Sequence, residues 1–294
     1  MNVAAAGGRR DRPPETPWVE SDRLEAHLAA AGACEAHARA ARELARDGFA
    51  VLDFDTDVSS LCDAAVAELA PIFADPAVTR IQNAWTVSSA VARLAALEEV
   101  SGFLSLAYGR AAFPFQTLNF ERGSQQSAHA DTLHFHCVPE RFMCGVWLAL
   151  EDVAEDAGPL VYYPGSHRLP VLSMRDAGVA AARPTYADYE RAYPEAIARL
   201  IAENGLTPAR ALLKKGQALV WAANLLHGGA AIARAGATRR SLVTHYYFEG
   251  CVYFTPMYSD VEAGRLHLRL PADIRTGRWR WPMRGKTPLW QGFL

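Results

Sequence analysis

The segment SAHADTLHF, residues 127–135, places a histidine and an aspartate two residues apart, at His129 and Asp131. On an extended strand such side chains project from the same face, so both can reach one metal ion. The pair is a weak signal by itself, because accidental H-x-D matches are common in a chain with nine histidines. A second histidine adds context: His227 in NLLHGGA follows the strand-like run ALVWAA (218–223) and precedes two glycines that let the backbone pass close to a site.

Together these side chains give two imidazoles and one carboxylate. Such a triad leaves three octahedral positions open, an arrangement suited to non-haem Fe(II) and O2 activation. Structural zinc would use four ligands, and the sequence offers no obvious fourth. The five cysteines are scattered and contain no C-x-x-C pair, which argues against a disulfide framework and a cysteine-rich zinc site. The sequence therefore predicts a metal site of His129, Asp131 and His227.

An arginine at the start of the next strand-like segment, TRRSLVTHYYF (238–248), points to an anionic ligand. The planar guanidinium of Arg239 can bind a carboxylate through two parallel hydrogen bonds, and Ser241, on the same face, can add a hydroxyl. This is how a protein would hold the distal carboxylate of a dicarboxylic co-substrate. Arg240 is the alternative clamp, since strand parity allows only one of the two arginines to point inward.

With these residues in this order, the chain resembles the phytanoyl-CoA dioxygenase family of Fe(II)/2-oxoglutarate oxygenases over about residues 40–250. RELARDGFAVLDF (42–54) is similar to the first helix and strand of that family, and VWLALEDVAEDAGPLVYYPGSH (146–167) to its middle strands and turn. The resemblance implies a protein that is mainly β with flanking helices. Its core would be a double-stranded β-helix, the jelly-roll or cupin-like fold.

The resemblance also implies cofactors and residue roles: Fe(II), 2-oxoglutarate as co-substrate, and O2, with succinate and CO2 as products. Iron would be bound by the predicted triad, and Arg239 would bind the C5 carboxylate of 2-oxoglutarate. Trp147 lies where the family has an indole beside the co-substrate, and Gln116 where it often has a polar group. The spacing from His227 to the first arginine is one residue longer than the commonest spacing, which keeps Arg240 open as the clamp.

Residues just after Asp131 are candidates for the substrate side. Thr132 and His134 would leave the strand beside the open coordination positions, although strand parity turns His134 away if the strand continues. A polar insertion at about 170–210 contains Tyr186 and Tyr189, which share one face of a helix with Tyr193. We expect this insertion to cover the mouth of the site. His245 shares the face of Arg239, yet its sequence context favours a hydrogen-bonded core histidine.

The chain is organised as a mobile tail at 1–20, rich in Gly, Pro and Arg, followed by a single domain at 21–294. Apolar periodicity predicts helices at 21–48, 58–73 and 89–109, and short strands follow Pro114. The composition, 50% hydrophobic and 21% charged over 294 residues, is typical of a globular protein.

Charge and hydropathy restrict the partners. A net charge of −2 gives no field for nucleic acid or an anionic membrane, and no apolar run approaches the ~20 residues of a spanning helix. The start of the chain does not read as a secretory signal, so the expected location is the cytoplasm. The arginine-rich run at 265–286 is either a packing tail or a patch for an anionic or carrier-bound substrate group. The oligomeric state is left open.

The predicted activity is hydroxylation of an aliphatic carbon of a small-molecule or carrier-bound substrate. The many arginines and alanines are typical of a GC-rich genome, and natural-product biosynthesis is one setting that fits. Desaturation, epoxidation or cyclisation are alternatives on the same fold. A non-catalytic cupin-like protein that binds a metal or a small molecule is an alternative from another class.

Overall fold

The structure is a computed structural model that describes residues 13–54, 57–179, 181, 184–261, 263–281, 283–284 and 287–288. Most of the predicted tail, residues 1–12, therefore lies outside the described residues. The rest of it is packed: Trp18 stacks on His27 with ring centroids 4.6 Å apart, and the Val19 side chain is buried. Packed structure thus begins before the predicted boundary at Ser21, and the single domain at 21–294 stays a prediction.

Six α-helices occur in the described residues, and they follow the predicted helical segments with two interruptions. The predicted helix at 21–48 divides where Gly32 adopts a left-handed φ of 61°, and its end at Gly48, with φ 82°, is confirmed. The helix at 89–109 divides at Ala96. The helices are α1 (Leu24–Ala30), α2 (Glu35–Asp47), α3 (Ser59–Phe73), α4 (Ser89–Ala95), α5 (Glu98–Tyr108) and α6 (Tyr186–Glu203).

Short antiparallel strands follow from residue 112 onward, as predicted, and two more, β1 and β2, lie among the helices before it. They are β1 (Phe49–Leu52), β2 (Ile81–Gln82), β3 (Ala112–Phe120), β4 (His136–Val138), β5 (Met143–Ala149), β6 (Leu160–Tyr162), β7 (Ala209–Arg210), β8 (Ala218–Ala222), β9 (His227–Gly229), β10 (Ser241–Phe248), β11 (Val252–Phe254), β12 (Ala272–Asp273), β13 (Arg278–Trp279), β14 (Met283–Arg284) and β15 (Thr287–Pro288). The large sheet has the order β1-β8-β5-β10-β3-β2, and a three-stranded sheet has the order β7-β6-β9.

The two faces of the large sheet bury different partners because side chains alternate along each strand. Val146 of β5 and Val220 of β8 belong to a core cluster with residues of helices α1–α5. Their sequence neighbours Trp147 and Trp221 pack on the other face, against Tyr162 of the three-stranded sheet. Helices therefore cover one face, and the space between the two sheets holds large aromatic side chains.

Helix α6 lies in the predicted insertion and packs beside the H-x-D segment. Its Tyr193 and Ile197 share an apolar cluster with Ala130 and Leu133. That segment is not a continuous strand: a 3-10 helix begins at Asp131 and ends at Leu133. Within the described residues, no helix combines the length and apolarity required to cross a bilayer.

Candidate active site

The three predicted metal-ligand side chains meet at one point. One ligand atom from each of His129, Asp131 and His227 lies within 4.8 Å of the others, and all three residues are buried. The backbones of the two histidines pair directly, each N–H donating to the carbonyl of the other at 2.9 Å. Gly228 permits this close approach, because a Cβ there would stand 2.7 Å from the carbonyl oxygen of Gln126.

Local hydrogen bonds fix how each imidazole is presented. His129 Nδ1 donates to the Ser127 carbonyl at 2.9 Å, and His227 Nδ1 donates to the Leu225 carbonyl at 3.0 Å. A carbonyl only accepts, so the lone pair of each ring stays on Nε2, where a metal can bind it. Burial, followed by the neighbouring His227, lowers the pKa of His129 to about 3. His129 is therefore a neutral ligand at physiological pH.

The carboxylate of Asp131 is held from the opposite side. Trp221 Nε1 donates to Asp131 Oδ2 at 2.8 Å, and His245 Nε2 lies 3.6 Å from the same oxygen. The other oxygen, Oδ1, lies 3.8 Å from His227 Nε2. Burial would raise the pKa of Asp131, but the neighbouring His227 and His245 outweigh it and hold the pKa far below its usual range. An ionised carboxylate with one oxygen facing the imidazole is a suitable ligand for a divalent metal.

A cavity of about 220 Å³ opens beside the triad. It lies between the large sheet, the H-x-D segment and α6, and its lining includes most of the predicted co-substrate and substrate residues. Those are Gln116, Trp147, Arg239, His134, Tyr186 and Tyr189. These residues therefore line one cavity with the triad, and their binding roles stay predictions.

Arg239 is buried in this cavity without a counter-charge. Its residue is only 3% exposed; Nη1 donates to Ser241 Oγ at 3.0 Å and Nη2 to the Arg122 carbonyl at 3.5 Å, while Nε has no hydrogen-bond partner. Its guanidinium carbon lies 5.3 Å from the ring centroid of Trp147. Burial lowers the pKa of Arg239 to about 10. Among the described residues no carboxylate forms an ion pair with Arg239, so its buried charge has no protein counter-charge.

Arg240, the alternative clamp, points the other way. Its Nη1 lies 3.1 Å from Glu151 Oε2, and its Nη2 lies 3.9 Å from Glu121 Oε1. The backbone N–H of Arg240 also donates to Glu151 at 2.8 Å. Strand parity thus separates the two arginines as expected, and the glutamates neutralise Arg240 outside the cavity.

Two of the predicted substrate-side positions differ from the expectation. Thr132 does not reach the cavity: it is fully buried, and Oγ1 donates to Asn224 Oδ1 at 3.0 Å. The prediction that Thr132 contacts substrate is therefore wrong, because the 3-10 helix at Asp131–Leu133 turns it inward. Because of the same turn, side chains no longer alternate as on a strand, and His134 faces the cavity. Its ring lies edge-on to Tyr189, with centroids 5.0 Å apart.

Sequence reasoning missed several lining residues. Trp221 lies in the strand-like run ALVWAA (218–223), but only the sheet register shows that its indole reaches Asp131. His245 shares a face with Ser241 as parity predicted, yet it lines the cavity rather than the core alone. Arg80 also lines the cavity, from a position just before the short edge strand β2 that carries no motif. Such positions depend on strand pairing between segments far apart in the chain.

The arginine-rich C-terminal run is partly described, and its charges are mostly paired. Arg275 and Arg280 both bind the buried Asp273, at 2.9 and 2.7 Å. Arg269 places its guanidinium carbon 4.7 Å from the ring centroid of Phe135, which lines the cavity. In the described residues this run therefore packs onto the core, which fits the expectation of a packing tail.

Comparison with known proteins shows a similar fold. The non-heme alpha ketoglutarate dependent epimerase SnoN from nogalamycin biosynthesis is 19% identical, with TM-score 0.60, covering 87% of this chain and 96% of its own. EctD from S. alaskensis, solved with 2-oxoglutarate and 5-hydroxyectoine, is 20% identical, with TM-score 0.60, covering 94% of this chain and 98% of its own. The carbocyclase SnoK from nogalamycin biosynthesis is 16% identical, with TM-score 0.59 and coverages of 84% and 93%. No curated protein matches the chain.

These structures confirm the predicted jelly-roll class, here with antiparallel sheets that do not close. The predicted cofactors agree with the groups named for the neighbours, since SnoN has also been solved with Fe3+ and alpha ketoglutarate. The family model for phytanoyl-CoA dioxygenase (PhyH) matches residues 22–241, which is most of the chain. The resemblance predicted from the sequence is thereby confirmed, and the chain belongs to the phytanoyl-CoA dioxygenase family.

Proposed function

We propose that this chain is an Fe(II)/2-oxoglutarate-dependent dioxygenase that hydroxylates an aliphatic carbon of a small-molecule or carrier-bound substrate. One observation carries the proposal: a metal-ligand triad and a buried, unpaired guanidinium line the same cavity. A metal-binding site alone does not require the buried Arg239, and an anion-binding pocket alone does not require the triad. The family and the neighbours named above support the same chemistry.

One set of residues would bind iron and another would bind 2-oxoglutarate. His129, Asp131 and His227 would hold iron and leave its remaining positions free. Arg239 would bind the C5 carboxylate of 2-oxoglutarate through its guanidinium N–H groups, because a fork of two donors matches a carboxylate. Ser241 would keep the guanidinium in place through the bond to Nη1.

Trp147 and Gln116 complete the co-substrate side of the cavity. The indole of Trp147 lies under the Arg239 guanidinium and excludes water from it, which strengthens a charge-assisted bond there. Gln116 is nearly buried on β3, opposite His245 of β10, and offers an amide to the ligand. A dry, fixed set of donors spares the bound co-substrate from reorganising before reaction.

Iron, 2-oxoglutarate and O2 together would supply the oxidising power, and the protein would decide which substrate hydrogen lies nearest. His134, Tyr186 and Tyr189 line the remaining part of the cavity and would orient the substrate. Hydroxylation is the simplest outcome of this arrangement. Desaturation, epoxidation and cyclisation differ from it in where the substrate is held, and no described contact favours one of them.

Succinate formation separates the enzyme from a non-catalytic metal-binding protein. Purified protein with Fe(II), ascorbate, O2 and 2-oxoglutarate should release succinate and CO2 in equal amounts, even slowly without a primary substrate. His227→Ala should abolish the release, whereas Arg240→Gln, outside the cavity, should retain it. Tight Fe(II) binding with no succinate above the His227→Ala background would contradict the proposal and favour the non-catalytic alternative.

A small-molecule screen then identifies the product class. A library of natural-product intermediates, free and carrier-bound, should contain compounds that accelerate succinate release, with a product heavier by one oxygen atom. NMR of that product then distinguishes an alcohol from an epoxide of the same mass. A product lighter by two hydrogens would instead identify a desaturase or a cyclase. The cytoplasmic location and the natural-product setting stay predictions.

A further inference from the structure

We propose that Arg80 forms an anion-binding subsite at the mouth of this cavity, and that the substrate carries a carboxylate or phosphate group there. The inference rests on the proposed function, because it concerns the side chains that remain once the triad and Arg239 have their ligands. It names a charge class for the substrate and a residue that selects it.

Arg80 lies at the edge of the large sheet, directly before strand β2. Strand β2 pairs with β3, with Ile81 opposite Asn119. Ile81 of β2 packs against the helix-side core, whereas Gln82 and Arg80, the residue just before the strand, line the cavity. The strand is anchored at its end, where the Asn83 N–H donates to a β3 carbonyl at 2.7 Å. Arg80 is therefore presented to the cavity by a fixed backbone.

The charges that line the cavity are few. Within the described residues they are Asp131, Arg239 and Arg80, besides histidines. The proposed function assigns Asp131 to iron and Arg239 to 2-oxoglutarate, which leaves Arg80 as the permanent charge that faces the substrate. Arg80 is exposed, and no described residue forms an ion pair or hydrogen bond with it. A cavity with one free guanidinium and no free carboxylate favours an acid over an amine.

The exposed residues at the mouth of the cavity indicate where the anion lies relative to the reacting carbon, because the triad is buried at the other end. Tyr186, which is 55% exposed, also lines the cavity, so it and Arg80 both mark the open end. Phe135 and Leu118 lie among the lining residues. The cavity volume of about 220 Å³ is below the ~300–1,000 Å³ of pockets that enclose drug-sized ligands. A substrate would thus insert its reacting, apolar part and keep its charged end at the mouth.

A matched set of probes tests this subsite: phenylbutyrate, phenylbutyl phosphate, phenylbutanol and phenylbutylamine, which share a body and differ in the terminal group. Binding is measured by calorimetry, without O2, to protein loaded with Fe(II) and saturating 2-oxoglutarate, so that Arg239 is occupied. We expect at least one anion to bind about fivefold more tightly than the alcohol at low salt, since an exposed ion pair is modest and screened. The amine should bind least tightly.

Arg80→Gln should remove the preference for the anions, and raising the salt concentration should reduce it in the wild-type protein. The matched control is Arg93→Gln, an exposed arginine of α4 outside the cavity, which should keep the preference. The two anionic probes distinguish a carboxylate site from a phosphate site. Wild-type protein that binds no anion more tightly than the alcohol, or an Arg80→Gln variant that keeps the ordering, would contradict the subsite.

The failure of this inference can be told apart from failure of the proposed function. A titration of 2-oxoglutarate into the Fe(II)-loaded wild-type protein, and its succinate release, test the function without any probe. If 2-oxoglutarate does not bind, the same probes are compared in the metal-free protein. A loss of anion preference in Arg80→Gln but not in Arg239→Gln would then still support the subsite, and the reverse would overturn it.

Discussion

The indole N–H of Trp221 donates to Oδ2 of Asp131 at 2.8 Å, and both residues are buried. This bond occupies one carboxylate oxygen and leaves Oδ1 facing His227 at 3.8 Å. A residue on β8 thus orients a ligand on a different segment, 90 positions earlier in the chain. Partners of this kind fix the geometry of metal ligands without touching the metal.

Removal of this donor should weaken the metal site more than the fold. In Trp221→Phe an aromatic ring still fills the space between the sheets, but Asp131 loses its neutral hydrogen-bond donor. We expect Fe(II) affinity to fall by about 10- to 100-fold, as for other partners of metal ligands. An anaerobic Fe(II) titration measures the change. Trp279→Phe, at a 60% exposed position, serves as control, and unchanged affinity in Trp221→Phe would contradict this role.

Gly145 makes room for the same indole. It lies opposite Trp221 in the pairing of β5 with β8, and a Cβ at this position would stand 2.3 Å from the indole carbon Cε2. Gly145→Ala should therefore displace the ring and lower the free energy of unfolding by about 1–3 kcal/mol, the usual cost of overpacking a core. Chemical denaturation measures this change.

Gly102→Ala is the matched control for that substitution. Gly102 lies within helix α5, and a Cβ there meets no atom within 4 Å. Alanine is the better helix former, so Gly102→Ala should raise the free energy of unfolding by about 0.5–1 kcal/mol. A Gly145→Ala protein as stable as the wild type, with unchanged Fe(II) affinity, would show that the indole is not confined as the structure indicates.

The two adjacent arginines should differ sharply in their effect on 2-oxoglutarate. Arg239→Gln removes a buried guanidinium that lacks any protein counter-charge. We expect the KM for 2-oxoglutarate to rise tenfold or more, because each hydrogen bond to a charged group contributes roughly 1.5–3 kcal/mol. Arg240→Gln should raise it about twofold at most, because that side chain pairs with Glu151. Steady-state succinate assays at varied 2-oxoglutarate check the ranking, and the reverse order would move the clamp to Arg240.

The sequence was sufficient to predict that the three candidate metal ligands lie together, because their relation is local or strongly patterned. His129 and Asp131 are two residues apart in the chain. Their side chains still lie close together although a 3-10 helix begins at Asp131. The glycines after His227 predicted a close backbone approach, which the pairing of His129 with His227 confirms. Short-range geometry and the need for small residues at a crowded site are both readable from one chain.

The substrate side could not be predicted in the same way. Nearness to Asp131 in the chain wrongly suggested that Thr132 meets the substrate, and strand parity wrongly turned His134 away, because a single turn of 3-10 helix replaces the strand there. The choice between Arg239 and Arg240 depended on Glu151 and Glu121, which approach from two neighbouring strands. Such contacts follow from sheet register, which the amino-acid pattern of a single segment does not determine.

The buried His167 should make stability depend on pH. Burial lowers its pKa to about 4, from the ordinary value of 6.5, and its Nε2 donates to the Ala45 carbonyl at 3.2 Å. The unfolded chain therefore takes up this proton at a higher pH than the folded chain. The free energy of unfolding should fall as the pH drops from about 6.5 towards 4.

His167→Gln keeps a donor for Ala45 but cannot take up a proton, so its unfolding free energy should vary less over this pH range. Urea denaturation at pH 7, 6 and 5 measures the slope, and His267→Gln, at an exposed histidine, is the control. An equal slope in His167→Gln and the wild type would contradict this contribution.

The start of helix α6 should be the weakest point of the segment that lines the cavity. Thr185 and Asp188 form a capping box, in which Thr185 Oγ1 accepts from the Asp188 N–H and Asp188 Oδ2 accepts from the Thr185 N–H. Thr185→Ala should cost the helix about 1 kcal/mol and speed amide exchange in its first turns about fivefold. Hydrogen exchange measures this, with Ser88→Ala, at the cap of α4, as control.

The same measurement tests whether α6 covers the site. Tyr186 and Tyr189 line the cavity, whereas Tyr193 is fully buried against the H-x-D segment, so a ligand reaches only the first half of the helix. We expect Fe(II), 2-oxoglutarate and phenylbutyrate together to slow amide exchange over residues 186–193 more than over 197–203, and less so in Tyr186→Ala. Because a covering segment must gain order when its ligand binds, unchanged exchange over 175–204, with slower exchange at the metal ligands, would contradict the covering role and leave these tyrosines as packing residues.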